Sequence, residues 1–126
     1  MAAGGVRRPI RNRIQGESVA NTPPSPARDK VRAIVPKLIE MTEKVVYGDV
    51  WERPGLSKRD RSLITVAALV AMGRGDQLPG HLGRALDNGV SKEEISELIT
   101  HLAFYSGWPT AISAALAAKE VFEKRD

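Results

Sequence analysis

The chain has 126 residues, 42% of them hydrophobic and none of them cysteine, with a formal net charge of +4. A chain of this length is expected to form one core. The composition rules out disulfides, thiolate nucleophiles and Cys-ligated metals, and leaves His81 and His101 as the only imidazoles. No run of 18 or more apolar residues occurs, so the sequence predicts a soluble, cytoplasmic protein with no membrane partner.

The charge is unevenly placed. Residues 1–30 hold six Lys/Arg against two Asp/Glu, whereas residues 31–126 hold thirteen of each. The folded part is therefore neutral, which argues against a nucleic-acid partner for any face of the domain. Residues 1–25 are rich in Gly, Pro, Ser and Arg and lack helical or strand periodicity. They are expected to form a flexible basic N-terminal arm. If the arm orders against a neighbouring subunit, Val6, Ile10 and Ile14 are its apolar anchors. Residues 26–126 are expected to form the helical domain.

The first helix opens with Ser25 as cap and Pro26 at the first position, and runs toward Tyr47 and Gly48. Pro36 removes a backbone donor inside it and is expected to kink or divide it. The stretch SKRD, residues 57–60, begins a second helix that ends at Met72 with Gly73 as its stop. Its segment LITVAALVAM is apolar on nearly every side, which predicts a helix buried all round, inside an oligomer in a chain this short.

Pro79 starts a short third helix that ends at Asn88-Gly89. The stretch SKEE, residues 91–94, is a capping box that opens a fourth. There Ile95, Leu98, Ile99, Leu102 and Ala103 form a core-facing stripe. SGWP, residues 106–109, interrupts the chain, and an alanine-rich fifth helix runs from Pro109 to about Lys124. The fold class is all-α, a bundle of about five to six helices.

Two places offer chemistry. Glu94, Glu97, His101 and Tyr105 stand at spacings of 3, 4 and 4 and share a helix face outside the apolar stripe. A carboxylate one turn from an imidazole can fix its tautomer and raise its pKa, as a general acid or base requires. A solvated polar face is the plain alternative. His81 stands in the first turn of its helix, where unpaired N–H groups and the positive dipole end favour anions and lower an imidazole's pKa. It is a candidate proton-transfer group, or else it satisfies a helix end or an interface. Two histidines alone do not make a metal site, and none is predicted.

The order YGDVWERPGLSKRDRSLITVAAL, GRGDQLPGHLGRALDNGVSKEEISELITHLAFYSGWP and ISAALAAKEVF resembles the carboxymuconolactone decarboxylase family over about residues 30–124. The likeness rests on Gly48, Arg53-Pro54-Gly55, Arg61, Gly80-His81, Asn88-Gly89-Val90, Glu94, His101, Tyr105, Gly107 and Pro109. It implies an alkylhydroperoxidase-D-like helical protomer, assembled as a trimer or as a hexamer of three dimers, with active sites near subunit contacts. Peroxidases of that fold use Cys-x-x-Cys followed by histidine. The matching positions here are Arg74 and Gln77, so thiol peroxidase chemistry is excluded. Many relatives carry Glu where this chain has Ser62, and a hydroxyl does not ionise near pH 7 as that acid does.

The activity implied by the resemblance is a cofactor-independent decarboxylation of a small carboxylated lactone such as γ-carboxymuconolactone, a step in aromatic-compound catabolism. Under that reading His81 is the proton donor or oxyanion partner. His101, with Glu97 and Tyr105, is the second polar group or its support, and Arg53 or Arg61 anchors a substrate carboxylate. Structural ion pairs are the other role open to the two arginines. Ser62 keeps a second reading open, a different proton transfer or decarboxylation of another small oxo-acid. A non-catalytic oligomeric binding protein is the third. No cofactor is expected, and the partners are a small carboxylate substrate and further copies of the chain.

Overall fold

The structure, a computed structural model, describes residues 25–125, and divides at the Gly55–Leu56 step into two compact units. The described residues form six α-helices: α1 (Pro26–Ile34), α2 (Pro36–Met41), α3 (Lys58–Met72), α4 (Leu78–Asp87), α5 (Lys92–Ser106) and α6 (Trp108–Arg125). No strand occurs among them, so the class is all-α as expected. The predicted arm, apart from Ser25, lies outside the described residues.

In the first unit the Ser25 hydroxyl accepts from the Arg28 N–H at 3.1 Å and Pro26 takes the first helical position. Pro36 divides the long helix, leaving Val35 at φ −134° between α1 and α2, because proline cannot donate to the preceding turn. After α2 the helix widens into a π-type segment, Thr42–Val46, closed by the Tyr47 N–H on the Thr42 carbonyl at 3.0 Å. A 3-10 turn, Val50–Glu52, follows. The Arg32 guanidinium grips both oxygens of Glu43, at 3.0 and 2.8 Å, and ties α1 to the widened segment.

The second unit holds the main hydrophobic core, and its helices begin and end where local chemistry dictates. Ser57 caps α3 by accepting from the Asp60 N–H at 3.0 Å, while the Asp60 carboxylate accepts from Arg59 instead of closing a capping box. Gly73 ends α3 at φ 68°, a conformation only glycine adopts cheaply. Before α5 the box is complete: Ser91 and Glu94 each accept the other's backbone N–H, at 3.0 and 2.9 Å.

α3 packs against α4, α5 and α6, while α6 also packs against α4 and α5. Val66 and Val70 of α3 meet Leu78, Leu82 and Ala85 of α4, and Ile95, Ile99 and Ala103 of α5. Ala111, Ala114 and Ala118 form the inner face of α6, where small side chains permit close approach. α3 is not buried all round in the single chain, since Ile64 and Met72 are 55% and 60% exposed and Ala68 lies on the same open face. The reason is that its partners lie against the Ser62–Val66–Val70 side. No described helix is long and apolar enough to cross a membrane.

Candidate active site

His81 stands in the first turn of α4, with its backbone N–H directed at the Gln77 carbonyl at 3.4 Å. No side chain caps this helix start. The imidazole is half-buried, and its pKa is lowered first by burial and then by the positive charge of Arg84. The direction matches the sequence expectation, whereas the leading cause is desolvation, which favours the neutral ring. At neutral pH one ring nitrogen therefore donates and the other accepts.

α4 is fixed along its whole length. Leu78, Leu82 and Ala85 are buried in the core. At its C-terminal end the Asn88 side-chain amide donates to the Ser62 hydroxyl of α3 at 2.9 Å. From α6, Arg125 donates to the Gly83 carbonyl at 2.9 Å and pairs with Asp87 at 3.0 Å. His81 thus projects from a helix held by hydrophobic burial, a polar pin and an arginine latch. Such support is what a group needs if it is to keep a fixed position during a reaction.

Ser62 is buried, at 2% exposure, and its hydroxyl is occupied by Asn88. It acts as part of the frame. Its neighbour Arg61 is half-buried on α3, while Arg53 is exposed just after the 3-10 turn of the first unit. Both residues have interactions of their own.

His101 and Tyr105 form the second group. They lie on the exposed face of α5, and their rings stack at 4.8 Å with an interplanar angle of 28°. Glu97, one turn before His101, is exposed and makes no hydrogen bond or ion pair to it among the described residues. Glu94 is drawn away by the α5 cap and by Arg59, which pairs with it. Burying no charge but meeting two donors, the Glu94 carboxyl is held below its usual range, first by the Ser91 N–H and then by Arg59. The structure therefore brings His101 together with Tyr105. α4 and α5, which carry the two histidines, pack mainly on α3 and α6 rather than on each other.

Among the described residues no group of three or more His, Asp and Glu could hold a metal ion. An open hollow of the first unit, lined by Arg32, Lys37, Glu40 and Glu43, offers no net charge, because its cations already pair with its acids. Sequence reasoning missed the Ser62–Asn88 pin and the Arg125 latch. Asn88 had been legible only as a helix-ending residue, and nothing local marks a partner 26 positions away.

A carboxymuconolactone decarboxylase family profile matches residues 36–120, and the chain belongs to that family. It is similar to 4-carboxymuconolactone decarboxylase of Acinetobacter baylyi, with 46% identity over 80 residues, 64% of this chain and 60% of that protein. It is also similar to nitrosuccinic acid decarboxylase of Metarhizium robertsii, 35% identical over 81 residues, 64% of this chain and 57% of that one. An uncharacterized 15.0 kDa protein of Paracoccus denitrificans is 28% identical over 95 residues, 74% of this chain and 71% of that protein. The matched stretch thus spans less than two thirds of either named decarboxylase.

Proposed function

We propose that this chain is a cofactor-independent decarboxylase acting on a small carboxylated lactone such as γ-carboxymuconolactone. The observation that carries this reading is His81: a half-buried imidazole of lowered pKa on a helix anchored by the buried Leu78 and Leu82 and tied at Gly83 and Asn88. Family membership and the similarity to 4-carboxymuconolactone decarboxylase support the same substrate class. In such a lactone the bond from the γ-carbon to the departing carboxylate breaks. Its electron pair passes through the ring double bond to the lactone carbonyl, which becomes an oxyanion as CO₂ leaves. Re-formation of the carbonyl then places a proton on the ring carbon beside it. The substrate is its own electron sink.

The protein's task is to stabilise the oxyanion, hold the retained carboxylate and deliver one proton. Neutral His81 donates its N–H to the developing oxyanion, the role its lowered pKa suits best. Arg61 or Arg53 is the anchor for the retained carboxylate, and His101 with Tyr105 the second polar group, with Glu97 nearby on the same helix. The same reading includes a homo-oligomer, either a trimer or a hexamer of three dimers, working in the cytoplasm.

The likeness to nitrosuccinic acid decarboxylase favours a broader second reading. Nitrosuccinic acid also loses one carboxylate next to a built-in electron acceptor, its nitro group, and keeps another. The chemistry common to both is a dicarboxylate whose own acceptor takes the electrons. The test is the ultraviolet loss of γ-carboxymuconolactone with purified protein, wild type beside His81→Asn, with no metal or cofactor added. Turnover by the wild type and a fall of about 10²-fold or more in the variant are expected. Absence of turnover in both removes this substrate and shifts the assignment to other small oxo-acids.

A further inference from the structure

Around His81, α4 carries a patch of which the reading above uses only the imidazole. Gly80 and His81 stand three and four residues after Gln77 and four and three before Arg84, so the four positions adjoin on one side of the helix. That side borders the buried Leu78–Leu82–Ala85 side. His81 and Arg84 are half-buried, whereas Gln77 and Gly80 are exposed. The floor between the two larger side chains is bare backbone, because a side chain at Gly80 would meet nothing within 4 Å. No Asp or Glu occurs from Gln77 to Leu86, and Asp87, next along the helix, pairs with Arg125 at 3.0 Å. The patch thus combines a neutral N–H donor, a permanent cation and open space beside both.

The decarboxylation step places a full negative charge on the lactone oxygen. A neutral imidazole can donate a hydrogen bond to that oxygen but brings no net charge. A guanidinium supplies the charge, and does so at any working pH. The charge of Arg84 also lowers the His81 pKa, which keeps the ring in the neutral form that donates without being an acid of its own. Arg84 has an interaction of its own, and the five N–H donors of a guanidinium serve more than one acceptor. Side chains one helical turn apart start about 5–6 Å from each other, close enough to converge on one small anion.

We propose that Arg84 is a second oxyanion-binding group of this chain, its guanidinium and the His81 N–H together holding a five-membered lactone enolate over Gly80. The proposal rests on the decarboxylase reading above and adds to it the residue that supplies charge. Arg61 or Arg53 keeps the role of carboxylate anchor. The bond changes are those already given: the electron pair of the departing carboxylate ends on the lactone oxygen as CO₂ leaves, and no bond to Arg84 forms. Fixed donors aimed at a developing oxyanion need no reorganisation at the moment of reaction.

Binding tests this without turnover. Tetronate, a five-membered lactone that is an oxyanion at neutral pH, and butenolide, a neutral lactone of the same ring size, are titrated into the purified chain and followed by the His81 ring protons in NMR. The wild type is expected to prefer tetronate by about tenfold or more. Arg84→Gln, with helical circular dichroism unchanged, is expected to lose that preference, and Arg84→Lys to keep part of it. Gly80→Leu, which fills the floor, is expected to weaken both ligands. With γ-carboxymuconolactone, Arg84→Gln is expected to lower kcat by about 10²-fold and to leave KM within about threefold.

Absence of tetronate binding by the wild type overturns the proposal, as does equal affinity for the two probes or a preference untouched by Arg84→Gln. A KM that rises in Arg84→Gln at unchanged kcat also overturns it, and would make Arg84 an anchor for the retained carboxylate. A wild type that prefers tetronate through Arg84 but turns over no γ-carboxymuconolactone supports the paired site and removes only the substrate assigned above.

Discussion

At the scale of single residues, His81 makes two predictions about pH. Its pKa is lowered from the ordinary value of about 6.5 by burial and by Arg84, so the unfolded chain takes up this proton at higher pH than the folded one. The stability His81 contributes is therefore present above about pH 6.5 and is lost as the pH falls below it. Urea unfolding at pH 7.5 and pH 5 is expected to show a larger acid loss for the wild type than for His81→Asn. For the rate, a neutral N–H donor predicts kcat/KM falling as acid protonates the ring, whereas a requirement for imidazolium predicts a rise. The sequence located His81 correctly in a first turn but pointed to the dipole as the cause of its shift. Burial requires knowing what Leu78 and Leu82 beside it pack against, and that is a property of the fold. The spacing of α5 allowed both Glu97 and Tyr105 to partner His101. The stacked ring is the partner found, while the carboxylate stays in solvent.

At the scale of elements, most boundaries were legible because their causes lie within a few residues. Ser57, Gly73, Ser91 with Glu94, and Pro36 each act on backbone groups next to them. The starts of α4 and α6 fall one residue earlier than their prolines suggested, at Leu78 and Trp108, since proline tolerates several first-turn positions. The widening at Thr42–Val46 had no sequence signal. Between α5 and α6 there is a single residue, Gly107, at φ 109° and ψ 146°. A side chain would meet only ordinary contact there, at 3.9 Å from Pro109, so the cost of one is conformational. Gly107→Ala is expected to lower stability by about 1–3 kcal/mol by denaturant titration. Gly80→Ala, near His81 in an ordinary helical conformation with open space around it, is expected to cost far less.

At the scale of the whole molecule, the ties between helices escaped the sequence. Ser62–Asn88, Arg59–Glu94 and the Arg125 latch join positions 26, 35 and 42 residues apart, and each member has an adequate local explanation without the other. The apolar excess of α3 was read as burial inside an oligomer, and the single chain covers the Ser62–Val66–Val70 side of it. Ile64 and Met72 remain on an open face of the single chain. The expected arm lies outside the described residues, and its role is measurable. If residues 1–25 order against a neighbouring subunit, deleting them is expected to reduce the rise of Tm with protein concentration, read by scanning calorimetry at several dilutions.

The one-residue joint at Gly107 bears on how the chain reaches its native state. Because α5 and α6 are joined with almost no loop, and Thr110 bonds the Gly107 carbonyl across the joint at 3.0 Å, closing this hairpin carries little entropic penalty. Local pairing of this kind folds on the microsecond-to-millisecond scale. Refolding of the second unit is then a fast unimolecular event, and any slow, dilution-sensitive phase reports the meeting of chains that are already folded.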